Sequence, residues 1–180
     1  IASDFFGAQT GSVTDTSFVR QNMVEIPVGA GARFVPTDDD DVVLWTPENR
    51  NGRIQNYRIG DESLRMLGFD VATGLIAVDV YRDELLTLSR SGVLDLRDRR
   101  TGEAILEYRG RGLQTAIRTS RGVFIGKAAQ GLLDSAVLRV NARTRETVPL
   151  ESESDLVFFL DFDERRGRLF AIGVRSDNAG

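Results

Sequence analysis

The segment Gly92-Val93-Leu94-Asp95-Leu96-Arg97-Asp98-Arg99-Arg100-Thr101-Gly102-Glu103-Ala104-Ile105-Leu106 reads as a strand, a turn and the start of a second strand. Two short β-type runs, Val93–Asp98 and Ala104–Tyr108, flank a reversal built from Asp98, Thr101 and Gly102. An aspartate at the head of such a turn can accept backbone N–H groups, and a glycine near its end can take the positive φ the chain needs to reverse. The same arrangement returns in degraded form over Val137–Val148, with Asn141, Thr144 and Arg145 at the corresponding places.

Outward from this unit, short β-type runs separated by Gly, Asp and Ser recur along the chain, without the sustained i, i+3, i+4, i+7 apolar pattern of an amphipathic helix. One kind of segment marks a period: Phe5-Phe6-Gly7-Ala8, Val42-Val43-Leu44-Trp45, Leu85-Leu86-Thr87-Leu88, Val123-Phe124-Ile125-Gly126 and Leu169-Phe170-Ala171-Ile172, with starts spaced by 37, 43, 38 and 46 residues. A period near about 40 residues with about four strands per unit predicts an all-β fold of β-propeller blades. A β-sandwich and an open β-solenoid are the alternatives. Before each marker lies a first-strand candidate: Ala32–Thr37, Leu75–Tyr81, Leu113–Thr119 and Leu156–Phe162. These look the most apolar, which predicts burial declining from first strand to last. The expected division is a partial blade over 1–30, blades over 31–70, 71–111 and 112–153, and a partial blade over 154–180. Because the first and last clear strands are both of the second-strand type, the expectation is about four blades of a larger ring. A four-bladed ring closed by the chain's own first residues, and a ring completed by another copy, are the alternatives.

In these respects the chain resembles the β-propeller repeats of the WD-repeat and quinoprotein-like superfamilies. The resemblance is detailed in Gly92–Leu106, which looks like the third and fourth strands of such a blade, and extends to the rest of the chain in rhythm. It implies a rigid ring that presents loops to a partner. There are departures: no Gly-His or Trp-Asp dipeptide occurs, and Leu106 stands where quinoprotein blades carry a docking tryptophan. A second Asp-x-x-Thr-Gly, Asp70–Gly74, is out of phase with the first.

Composition narrows the chemistry. The 180 residues are 41% hydrophobic and 28% charged, with 23 basic against 27 acidic side chains, a net charge of −4. Lys127 is the only lysine, and there is no histidine and no cysteine. Nucleophile systems that rely on histidine, thiolate or imidazole metal sites, and disulfides are thereby excluded from this sequence. An acidic balance without a basic block disfavours nucleic acid and anionic lipid as partners. The longest apolar runs are far shorter than the roughly 20 residues that span a bilayer as a helix, so no membrane span is expected.

The remaining candidates are few. Asp38-Asp39-Asp40-Asp41 could offer carboxylates to calcium, but reads as a charged, solvated turn between two strands, like Arg82-Asp83-Glu84 and Asp163–Gly167. No cofactor or catalytic residue is expected. Trp45 is expected to pack between blades, and Phe158, Phe159 and Phe170 to lie in the core. Arginine is the distinctive resource, because its planar fork binds carboxylate or phosphate in a way lysine cannot reproduce. Arg50, Arg90, Arg109 and Arg111 fall in or beside loops on one propeller face, and make a candidate surface for an acidic or phosphorylated protein partner. The expected function is a non-catalytic binding module or scaffold. The alternatives are an enzyme or a ligand- or metal-binding propeller with a central carboxylate- and Arg-lined site, and a structural subunit of a larger assembly.

Overall fold

The computed structural model of the chain describes residues 6–13, 18–26, 33–37, 41–46, 54–58, 63–131 and 134–175. All regular structure among them is β. A hairpin of β1 (Phe6–Val13) and β2 (Phe18–Ile26) comes first. Three four-stranded antiparallel sheets follow, each wound from consecutive strands. The first sheet comprises β3 (Arg33–Pro36), β4 (Asp41–Trp45), β5 (Gln55–Arg58) and β6 (Ser63–Met66). In the second are β7 (Leu75–Tyr81), β8 (Glu84–Ser89), β9 (Val93–Asp98) and β10 (Ala104–Arg109). β11 (Leu113–Thr119), β12 (Gly122–Lys127), β13 (Val137–Val140) and β14 (Thr147–Leu150) make the third. A final antiparallel pair, β15 (Leu156–Asp163) and β16 (Arg168–Val174), completes the described chain. The architecture is all-β and that of a partial propeller built from four-stranded antiparallel blades.

Successive side chains on a strand point to opposite faces, so a strand in a middle sheet packs two ways. Leu85 joins Val43, Trp45, Ile54, Val71 and Leu75 in the seam between the first and second sheets. Leu86, Leu88, Leu94, Leu96 and Leu106 face the other way and meet Leu113, Ala116, Val123, Ile125, Leu138 and Val140 of the third sheet. Phe124, again one position out of phase, packs with Val137, Val157 and Leu160 in the third seam. Its ring stacks on Phe162 at a centroid distance of 5.6 Å. Trp45 sits in the first seam as expected, 5% exposed, beneath the Arg33 guanidinium at 5.2 Å.

Two expectations about burial are corrected. In the three four-stranded sheets the second strands, not the first, are the most buried: every residue of β12 is buried, whereas β7 is buried only at Leu75. The cause is position, because β12 and β8 have a hydrogen-bonded neighbour on each edge and a sheet on each face, while β7 and β11 are edge strands of their own sheets. Phe158, Phe159 and Phe170 are not core: they are 50%, 48% and 52% exposed, beside Ile172 and Val174 at 54%. β15–β16 buries Val157 and Leu160 against the third sheet, and no described sheet covers its opposite face.

Three of the first strands, β7, β11 and β15, share an irregularity that β3 lacks. The ladder shifts register between Leu75 and Ala77, between Leu113 and Thr115, and between Val157 and Phe159. A bulge leaves one residue unpaired and re-aims its side chain. The residues so placed are Ile76, Gln114 and Phe158, at the end of the sheets where second strands pass into third strands.

Candidate functional site

At that end, backbone hydrogen bonds knit the connecting loops together. In the β8–β9 turn, Gly92 N–H donates to Ser89 O at 3.0 Å, and Gly110 N–H of the β10–β11 link donates to Gly92 O at 3.0 Å. Ala128 N–H then donates to Gly112 O at 2.9 Å, and Ala129 N–H to Asp155 O at 2.7 Å. The close approach requires glycine at 92: its φ is +81°, and a Cβ there would run into the Gly110 carbonyl oxygen. The loops therefore form one continuous surface held by main chain.

A groove of about 500 Å³ opens in this surface at the seam between the second and third sheets. Arg90 and Arg111 line it together with Ser91, Gln114 and the bulge residue Ile76. No carboxylate lines it, and among the described residues neither guanidinium makes an ion pair or a side-chain hydrogen bond. The structure thus brings two of the four arginines read from the sequence into one groove. Arg109, the last residue of β10, does not line it and pairs along its own strand with Glu107 at 2.7 Å. Arg50 lies outside the described residues.

The sole lysine belongs to the same end of the molecule. Lys127 closes β12 and pairs with Asp134, which also accepts Gln130 N–H at 2.8 Å. These two hydrogen bonds, that from Lys127 foremost, hold the Asp134 carboxyl below its ordinary value. Lys127 is consequently spent on fixing a loop and is not available to a partner.

Sequence reasoning missed the polar chemistry at the opposite end. Of the acidic run, Asp38–Asp40 lie outside the described residues, but Asp41 is not solvated: it is 4% exposed at the start of β4. Its carboxylate accepts Asn56 Nδ2 at 2.8 Å and Arg58 Nε at 3.0 Å, and lies 3.4 Å from Nη1 of Arg99, which reaches across from the next sheet. Arg99 is itself 6% exposed. Burial alone would push the Asp41 carboxyl up, yet the hydrogen bonds from Arg58 and Asn56 and the two guanidinium charges outweigh it and hold it below the usual carboxylate value. Nothing in a run of four aspartates signals a partner 58 residues away.

On the first strands, Asp79 of β7 accepts Arg118 N–H of β11 at 2.6 Å, joining adjacent sheets. Burial, with help from the charge of Asp161, raises its carboxyl above the ordinary value, against the hydrogen bonds from Arg118 and Val80. Among the described residues no three acidic side chains cluster in a way that could hold a metal ion. No described helix is long and apolar enough to cross a membrane.

The sequence matches no protein-family model and no curated protein. Several solved structures share the fold. The computationally designed Ika4 protein superposes with a TM-score of 0.58 at 14% identity, over 81% of this chain and 94% of that one. The computationally designed Ika8 protein gives 0.55 at 17% identity, over 73% of this chain and 39% of that one. Hydrazine synthase of Kuenenia stuttgartiensis gives 0.63 at 12% identity, over 81% of this chain and 42% of that one. The chain thus spans about two-fifths of the last two. At such identities the likeness is one of fold alone.

Proposed function

We propose that this chain is a non-catalytic binding module that docks an acidic protein partner on the loop face carrying Arg90, Arg109 and Arg111. The observation that carries the proposal is the groove itself, where two arginines without internal acids stand on loops tied together by main chain. A guanidinium fork presented on a rigid surface recognises carboxylate with little ordering cost, because the loops need not be fixed on binding. The same reading groups these blades with the WD-repeat-like and quinoprotein-like propellers, supported by the Asp98-x-x-Thr101-Gly102 turn, and makes the fold a scaffold. The rival, a central ligand site, has among the described carboxylates only Asp79 and Asp161 on the first strands in its favour.

The test uses a fluorescent glutamate-rich peptide followed by anisotropy. Binding is expected to weaken with added salt, and Arg90→Glu with Arg111→Glu to weaken it by more than about tenfold, since attractive contacts become repulsive. Unchanged binding in the double variant would refute the proposal.

A further inference from the structure

The loops that join successive sheets at the Arg90 end carry opposite charge in neighbouring seams. The β10–β11 link, Gly110-Arg111-Gly112, brings Arg111 beside Arg90 of the β8–β9 turn. The β14–β15 link, Glu151-Ser152-Glu153-Ser154-Asp155, holds three acids and no base. The β6–β7 link, by contrast, offers a single carboxylate, Asp70. Glu151 and Glu153 are exposed, as Arg90 and Arg111 are, and none of these four makes an ion pair among the described residues.

The basic and acidic links are parts of one rigid surface. The main-chain hydrogen bonds from Gly110 to Gly92, from Ala128 to Gly112 and from Ala129 to Asp155, at 3.0, 2.9 and 2.7 Å, run across the face from one link to the other. The two patches are thereby held at a fixed separation, with the third sheet between them.

The bulges add shape to charge. Ile76, Gln114 and Phe158 hold the same register position in three consecutive first strands. Ile76 is half-buried and lines the basic groove, whereas Phe158 is 50% exposed on the strand that the acidic link enters. From the second sheet to the last pair, the face therefore offers an apolar floor with arginines, then a glutamine, then an exposed aromatic ring with glutamates.

We infer, resting on the acidic-partner proposal, that the acidic partner is a second copy of this chain, bound loop face to loop face about a two-fold axis. An axis lying in the face and passing by Gln114 exchanges the second sheet with the β15–β16 pair. Glu151 and Glu153 of one copy then meet Arg90 and Arg111 of the other, and the contact occurs twice. The same rotation brings Phe158 of each copy to Ile76 in the other's groove, where the ring leaves water. With a net charge of −4, two copies repel each other on average, so association is favoured where one face segregates its charge by sign.

Sedimentation equilibrium of the whole chain tests this. A dimer is expected that weakens as salt is raised, because the pairing charges are exposed. Arg90→Glu with Arg111→Glu, and separately Glu151→Arg with Glu153→Arg, are each expected to give a monomer whose circular dichroism is that of the wild type. Mixed in equal amounts, the two variants are expected to form a heterodimer, since one then carries acids on both patches and the other bases. Phe158→Ser is expected to weaken association about tenfold, because one apolar side chain is lost from each contact. A wild-type chain that stays monomeric, a dimer that survives either charge reversal, or a mixture that fails to associate overturns the inference. So does dissociation by Phe170→Ser and not by Phe158→Ser, which would put the contact on the open face of β15–β16. A monomer that still binds the glutamate-rich peptide through Arg90 and Arg111 leaves the acidic-partner proposal standing, and one that binds neither refutes both.

Discussion

Asp41 and Arg99 bind the first two four-stranded sheets through charges that are both nearly withdrawn from water. Removing one member of a buried pair leaves the other uncompensated, which typically costs about 3–5 kcal/mol. Asp41→Ala is therefore expected to lower stability at neutral pH by about 3 kcal/mol in urea denaturation. Because the folded carboxyl titrates below its unfolded value, its contribution is complete above the unfolded pKa and fades as pH falls through the folded one. The gap between wild type and variant should thus narrow below about pH 4, the ordinary carboxylate range. An undiminished gap at acid pH would show that the charge is not what matters. Composition pointed to arginine as the chemical resource, and Arg90 and Arg111 were reachable because turn position follows from strand phase. The Asp41–Arg99 pair was not, since it depends on which sheets face each other and a strand pattern carries no information about that.

The turn that organises the second sheet is repeated in the third with different side chains. Asp98 accepts Arg100 N–H at 2.9 Å and Thr101 N–H at 2.7 Å, and Asn141 accepts Arg143 N–H at 2.9 Å and Thr144 N–H at 3.0 Å. The residue that closes each loop has positive φ, Gly102 at +77° and Arg145 at +61°. Glycine bears that conformation freely and arginine does not. Arg145→Gly is expected to raise stability by up to about 1 kcal/mol. Gly102→Ala should lower it by more than about 1 kcal/mol, because a Cβ there would also come within 2.7 Å of the Phe69 ring. Equal signs in a thermal melt would contradict this account. Strand order and turn type were legible in the sequence because both rest on local rules, side-chain alternation and turn chemistry. Burial was not, because whether β7 or β8 is covered is decided by neighbours distant in sequence.

At the scale of the molecule, the described residues pack in three seams, and the apolar face of β15–β16 lies outside them. Phe124, 4% exposed in the third seam, and Phe170, half exposed on the open face, have the same side chain in opposite circumstances. Phe124→Ala should cost about 3–5 kcal/mol, and Phe170→Ser no more than about 1 kcal/mol. Comparable losses in denaturant midpoints would mean that the open face is covered in solution. The sequence period identified the fold, but it gave Phe124 and Phe170 the same place in their strands, and only the stacking of sheets separates them.

Each four-stranded sheet is wound from strands that follow one another, and this bears on how the chain acquires its structure. Every main-chain ladder in these sheets closes a short loop, so the entropy of closure is small and each hairpin can form from its own sequence. What joins one sheet to the next is mainly side chains and the few loop hydrogen bonds, which become available only once two neighbours exist. Assembly is thereby expected to spread from sheet to sheet like a one-dimensional array, with cooperativity set at the seams and not within the ladders.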